Sequence, residues 1–184
     1  MFTWIAKLYH FFYSFKRTWY LDRLKKKGLR LGKKVWIVDT FFFDPSHCYL
    51  ISIGDNTTIC PNVRLIAHDA STKKHLGYTK FGKITIGENC FIGDSSIILP
   101  NVTIGPNTII GAGSVVTKSI EANTVAAGNP AKAICSLDTY LKKIKHDSND
   151  GAHVFGREFF IDNLTDTSIS ELLDAADEKI GFIK

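Results

Sequence analysis

Ile86, Ile92, Ile98, Ile104, Ile110 and Val116 recur at intervals of six without a break. Four residues behind each stands a small or apolar residue: Cys90, Ser96, Val102, Thr108, Ser114 and Ile120. The position after each aliphatic residue is glycine at 87, 93, 105 and 111, with Leu99 and Thr117 as the exceptions. A period of six suits neither a helix of 3.6 residues per turn nor a two-residue strand alternation. It suits a β-solenoid of flat six-residue faces, with the aliphatic column inside, the small column beside it, and glycine giving the backbone freedom for corners.

Upstream the beat is weaker. Val35, Phe41, His47 and Ile53 keep the spacing, and it becomes regular at Ile53, Ile59 and Leu65, with Thr57, Val63 and Asp69 in the small column. It then stops until Ile86. The interruption at 70–83 is polar and punctuated by glycine (STKKHLGYTKFGK). A loop of that length inside a compact repeat is more often functional than ornamental.

The flanks follow a different period. Residues 2–20 predict a helix with Ile5, Leu8, Phe12, Phe15 and Trp19 along one seam, ending near Gly28. After the solenoid exits at Pro130, Ser136 predicts the cap of a short helix bearing Leu137, Leu141 and Ile144. Ser168 and Glu171 form a capping-box pattern ahead of a last helix with Leu172, Leu173, Ala176 and Ile180 inward. The expected organisation is an N-terminal helical segment, 1–34, a β-solenoid, 35–134, with the 70–83 loop inserted, and a helical tail, 135–184.

Charge changes the picture at one end. The net charge is +5, but residues 1–34 hold ten Lys or Arg against one acid, while the rest carries thirteen against seventeen. The solenoid is therefore not a basic surface for nucleic acid. The N-terminal segment is read as a cap on the solenoid's open end, or else as a helix lying on anionic lipid. Four cysteines show no metal-site spacing, and no apolar run reaches the length of a membrane span. A reduced cytoplasmic protein is the expectation, with a place at the membrane's inner face if the N-terminal helix lies on lipid.

The stretch from Asn62 through IGENCFIGDSSIILPNVTIG, GAGSVVTK at 111–118 and GNPAK at 128–132 resembles the hexapeptide-repeat acyltransferases. Within that family it looks like the branch of the galactoside, maltose, xenobiotic and polysaccharide O-acetyltransferases. That resemblance implies an all-β solenoid, a left-handed parallel β-helix, in which three hexapeptides make one coil of about eighteen residues. On that count 35–52 is a degenerate coil, 53–70 a better one, and 86–103 and 104–121 are regular. The resemblance also implies a homotrimer, acetyl-CoA as donor and a saccharide as acceptor, without a metal.

His68 stands where the beat breaks, at the root of the excursion. Moving an acyl group from a thioester to a hydroxyl requires a base for the hydroxyl proton, and neutral imidazole suits that task. The resemblance puts the family's general base at this position. Asp69, Asp39 or Thr40 would orient the ring, and His75 would shape the acceptor pocket or simply be solvated. The resemblance places coenzyme A beside Ala112, Gly113, Thr117 and Lys118, with Lys132 near the nucleotide phosphates and Asp94 close by. An ionised carboxylate at 94 cannot donate a hydrogen bond, so oxyanion stabilisation there would have to come from backbone N–H groups. No nucleophile elbow is visible, which favours direct transfer over an acyl-enzyme. N-acetylation of an amino sugar nucleotide and a non-catalytic scaffold are the alternatives. A solenoid carbonic anhydrase lacks its histidine spacing here.

Overall fold

The computed structural model describes residues 17–150, 152–159, 163–178 and 180–183. They divide into two units at Leu137 and Asp138.

The first unit is a parallel β-helix of short strands. The chain visits three sheets in rotation, as a triangular prism requires. The first sheet stacks β1 (Arg30–Leu31), β4 (Ile51–Ile53), β9 (Ile84–Ile86) and β12 (Val102–Ile104). The second stacks β2 (Trp36–Ile37), β5 (Thr58–Ile59), β10 (Phe91–Ile92), β13 (Ile109–Ile110) and β15 (Thr124–Gly128). The third stacks β3 (Phe41–Phe43), β6 (Val63–Leu65), β11 (Ile97–Ile98) and β14 (Val115–Val116). Both columns seen in the sequence point inward, and Ile59, Ile92, Ile98, Ile104, Ile110, Ser96, Thr108 and Ser114 are all inaccessible to solvent. Each fully buried isoleucine contributes about 1.5–3 kcal/mol, so the unbroken column is the main source of stability.

Register locates the interruptions. Pairing advances eighteen residues from Ile84 to Val102, thirty-three from Ile51 to Ile84, and twenty-two from Arg30 to Ser52. The second coil thus carries fifteen extra residues and the first carries four. Phe41 still pairs with Val63, and Leu65 with Ile98, at those same offsets. The four extra residues therefore lie between Phe43 and Ile51, and the fifteen between Leu65 and Ile84. Both leave the prism at the corner that follows the third sheet, one stacked above the other.

The sequence phase of the first coil is thereby corrected. Leu31, Ile37 and Phe43, not Val35, Phe41 and His47, align with Ile53, Ile59 and Leu65. The first strand begins at Arg30 rather than Val35. Asp69, placed in the inward column by the same counting, belongs to the excursion and its side chain is 35% exposed.

The corner glycines also serve a different purpose from the one expected. None of Gly87, Gly93, Gly105 and Gly111 has a positive φ. A Cβ at Gly93 would lie 2.5 Å from the Ala112 nitrogen, and one at Gly105 would lie 2.4 Å from that of Ala122. Stacked coils leave no room for a side chain. The left-handed turns fall mostly to asparagines, at 56, 62, 89, 101, 107 and 123, with Lys34, Asp39, Ser95 and Gly113 at the others of the solenoid, and asparagine tolerates that region. Asn56, Asn89, Asn107 and Asn123 bond one to the next, a ladder of amides down one corner.

At the N-terminal end, residues 17–26 are helical (α1), and Gly28, at φ 104°, ends the helix as anticipated. Leu24 and Leu29 enter the core, with Tyr20 and Leu21 packed against it, so this end of the helix covers the first coil. Trp19, expected on the seam, is 58% exposed, and Ile5, Leu8, Phe12 and Phe15 lie outside the described residues. At the other end β15 pairs antiparallel with β16 (Ala131–Ser136), so a hairpin closes the solenoid before any helix begins.

The second unit holds most of α3 (Leu137–Asn149), α4 (Asp166–Glu178) and a parallel pair, β17 (Val154–Phe155) with β18 (Phe182–Ile183). Helix α4 starts earlier than predicted. Thr165 Oγ1 accepts the Ser168 N–H at 3.1 Å, so the capping residue is Thr165 and Ser168 lies within the first turn. Ala175, not Ala176, is its buried residue. No helix among the described residues is long and apolar enough to cross a membrane.

Candidate active site

The fifteen-residue excursion is an ordered hairpin. Its arms are β7 (His68–Asp69) and β8 (Lys80–Phe81), with His68 opposite Phe81 and Asp69 opposite Lys80. Between them lies one helical turn, α2 (Lys73–Leu76), closed by Gly77 at φ 77°. The Ser71 N–H bonds Asp69 Oδ1, and Thr72 Oγ1 bonds the Tyr78 carbonyl. His68 therefore sits on a fixed strand at the hairpin's root.

The four-residue insertion lies beneath it and supplies what the sequence reading missed. Asp44 is 1% exposed, and its Oδ2 accepts His68 Nδ1 at 2.5 Å and the Ala67 N–H at 3.1 Å. Its Oδ1 accepts Ser46 Oγ at 2.7 Å and the N–H groups of Ser46 and His47 at 3.3 Å. Burial by itself would raise the Asp44 pKa. The hydrogen bonds from His68 and Ser46, the charge of His68 and the His47 N–H outweigh it and hold the carboxyl below the usual range. An ionised Asp44 can only accept, so His68 Nδ1 carries the proton and Nε2 keeps its lone pair. This is the arrangement a general base needs.

The residues expected to orient His68 are occupied elsewhere. Asp69 forms a 2.8 Å ion pair with Lys80, and the hydrogen bonds of Lys80 and Ser71 hold its carboxyl far below the ordinary range. Thr40 Oγ1 bonds Asn62 Oδ1 at 2.6 Å, and Asp39 is exposed at a left-handed turn. The ring partner is Asp44. His75 is exposed on α2.

His47, read from the sequence as an inward residue of the repeat, lies beside the catalytic candidate instead. Its ring centroid is 4.5 Å from that of His68, with Phe81 stacked at 6.4 Å and Tyr49 at 5.8 Å. Asp44, His47 and His68 each offer a donor atom within 4.8 Å of the others, close enough for one cation to reach all three. Hydrogen bonds to Asp44 from His68, Ser46 and the His47 N–H already join this cluster.

Next to the hairpin root is a cavity of about 390 Å³, lined by Asp69, Lys80 and Phe81, by Leu99, Pro100 and Asn101, and by Thr117. It brings one predicted coenzyme contact to the histidine's side of the prism. Thr117 and Lys118 follow β14 at the corner of the two insertions, while Ala112 and Gly113 occupy the preceding corner, and all four are exposed. The Asp94 carbonyl accepts the Gly113 N–H at 2.7 Å, and its carboxylate accepts Ser95 Oγ. Asp94 thus acts as an acceptor, as its charge requires. Lys132 is exposed on β16, opposite Ala127.

Residues 83–118 match the model of the bacterial transferase hexapeptide family, in its six-repeat form. Protein CapG of Staphylococcus aureus is 44% identical over 140 residues, which span 73% of this chain and 81% of CapG. The chain belongs to the hexapeptide-repeat acyltransferases. Among solved structures, a galactoside acetyltransferase in complex with coenzyme A aligns with a TM-score of 0.54 at 34% identity, covering 65% of this chain and 70% of that one. A hexapeptide-repeat acetyltransferase of Vibrio cholerae O1 biovar eltor, complexed with acetyl coenzyme A, also gives 0.54, at 27% identity over 60% of this chain and 61% of its own. The fold of the family is the left-handed parallel β-helix, which supplies the hand that sheet order leaves open.

Proposed function

We propose that this acyltransferase moves an acetyl group from acetyl-CoA to a hydroxyl of a saccharide, in cell-surface polysaccharide assembly, by direct transfer with His68 as general base. The observation that carries the reading is the His68 ring, held at the hairpin root by a buried carboxylate that fixes its Nδ1 proton. The acceptor hydroxyl gives its proton to Nε2 as its oxygen attacks the thioester carbonyl. The carbon–sulfur bond breaks, and the proton then passes from the imidazolium to the departing thiolate. Asp44 supports this cycle by stabilising the imidazolium.

The coenzyme would run along the outer face of the third sheet. Ala112, Gly113, Thr117 and Lys118 line its edges, Asp94 braces Gly113, and Lys132 meets the phosphates through charge-assisted hydrogen bonds. That the two related structures hold acetyl coenzyme A or coenzyme A supports acetyl-CoA as the donor. Incubating the protein with acetyl-CoA and a panel of sugars, amino sugars and sugar nucleotides should release free thiol with hydroxyl acceptors. Thiol release confined to amino sugars would turn the reading to N-acetylation. Loss of activity in EDTA, restored by Zn²⁺, would replace the hydrogen-bonded network with a metal at Asp44, His47 and His68.

Assembly follows from the same reading. One prism wall offers the coenzyme only a shallow groove, and Trp36, Phe42 and Phe91 stand exposed on the outer faces of the second and third sheets. A homotrimer would cover those rings and enclose the site between neighbouring prisms. Sedimentation equilibrium should give a mass near three times 20.5 kDa. A fully active monomer would remove the trimer from the mechanism.

A further inference from the structure

We propose that His47 is a specificity-determining residue: its Nε2 receives a second hydroxyl of the acceptor, next to the one His68 deprotonates. The acceptor class is then a saccharide with two neighbouring hydroxyls presented together. This rests on the acyl transfer proposed above.

The hydrogen bonds fix both tautomers. Ser46 Oγ spends its only proton on Asp44 Oδ1, at 2.7 Å. Its oxygen lies 3.1 Å from His47 Nδ1 and can act there only as an acceptor. His47 Nδ1 therefore carries the ring proton, as His68 Nδ1 does. One carboxylate sets both rings, His68 directly and His47 through Ser46, and leaves both Nε2 atoms as proton acceptors.

The rings are tilted by 30° with centroids 4.5 Å apart. The rings are thus neighbours, and in the proposed complex two adjacent hydroxyls of one sugar sit on them, each at the usual ~2.8 Å from its own Nε2. The side chains of His47 and His68 are 25% and 33% exposed, so both reach solvent. Phe81 and Tyr49 flank the His47 ring.

A purely structural role does not explain the imidazole. The hydrogen bond Asp44 takes from His47 is the backbone N–H, at 3.3 Å, which any residue other than proline would provide, while the ring Nδ1 stands 3.9 Å from Asp44 Oδ1, beyond hydrogen-bond distance. Nor does the ring belong to the buried core of the prism. What remains is an oriented acceptor nitrogen beside the reacting one, and a hydroxyl donor satisfies it.

The test compares acceptors rather than rates alone. Methyl glycosides and their singly deoxygenated counterparts are assayed with acetyl-CoA, and the acetylated position is read by NMR. Wild-type protein should show kcat/KM lowered about tenfold or more for the counterpart lacking the hydroxyl beside the acetylated one, since one hydrogen bond to a positioned acceptor is worth roughly a factor of ten. His47→Phe keeps ring packing and the backbone N–H but has no acceptor atom. It should lose activity on the parent glycoside and little on that counterpart, so the discrimination collapses. His47→Leu gives the same readout if the phenylalanine variant does not fold. A variant that slows both acceptors equally, or keeps the wild-type discrimination, overturns the assignment. Wild-type protein that acetylates none of the glycosides overturns the transfer reading and this inference with it.

Discussion

Replacing His68 by alanine should lower kcat by ~10²–10⁴, the usual worth of a positioned proton acceptor. The truncation removes the ring whose Nδ1 is bonded to Asp44 and leaves the strip at Ala112, Gly113, Thr117 and Lys118 unchanged, since those residues sit in a later coil. Acetyl-CoA affinity measured by calorimetry should therefore be retained. Lys132→Ala should give the complementary result, a raised KM for acetyl-CoA with kcat largely kept, because a phosphate contact remote from the thioester binds ground and transition states alike. Near-normal turnover by His68→Ala on an acceptor acetylated by the wild type would place the base elsewhere.

The solenoid was legible because one inward face repeats every six residues and nothing else competes for those positions. From Ile84 to Val116 the repeat has no insertions and both columns are buried as read; after Val116 the coil is two residues short, so Ile120, read in the small column, pairs with Ile104 of the aliphatic one. The first coil misled for a definite reason. Four residues inserted after Phe43 shift the phase, and Val35, Phe41 and His47 keep a spacing of six by coincidence with the true column at Leu31, Ile37 and Phe43. Counting back from Ile53 concealed the insertion that carries Asp44 and His47. A usable signal existed: the run Asp44-Pro45-Ser46-His47 is polar where a face should be apolar. The large excursion betrayed itself by breaking a strong beat, so His68 could be found. Its partner could not, because one corner joins two insertions only in three dimensions. The glycines were found for the wrong reason, since close stacking of coils is invisible to a reading along the chain.

Replacing Asp44 by asparagine should cost both activity and stability, with the two losses separable by pH. The carboxylate accepts five hydrogen bonds, two at Oδ2 and three at Oδ1. An amide of the same shape must turn its NH₂ toward one of those sets, donor facing donor. If it faces His68, the ring is pressed toward the tautomer with the proton on Nε2, which cannot take one from the acceptor. The imidazolium also loses its counter-charge during transfer, so kcat should fall by ~10²–10⁴ with acetyl-CoA affinity retained. Stranding buried donors should lower folding stability by about 1–3 kcal/mol at neutral pH, a gap readable from urea unfolding. The sign of its pH dependence follows from the depressed pKa of Asp44 in the fold. The unfolded chain binds that proton at higher pH than the folded one, so the carboxylate's stabilisation is complete above the ordinary range of ~3.9 and is lost as pH falls below it. Wild type and Asp44→Asn should therefore differ most at pH 7 and converge toward pH 3, while a variant limited to packing would keep a constant gap. Wild-type turnover in Asp44→Asn would show that the His68 tautomer is set by some other group.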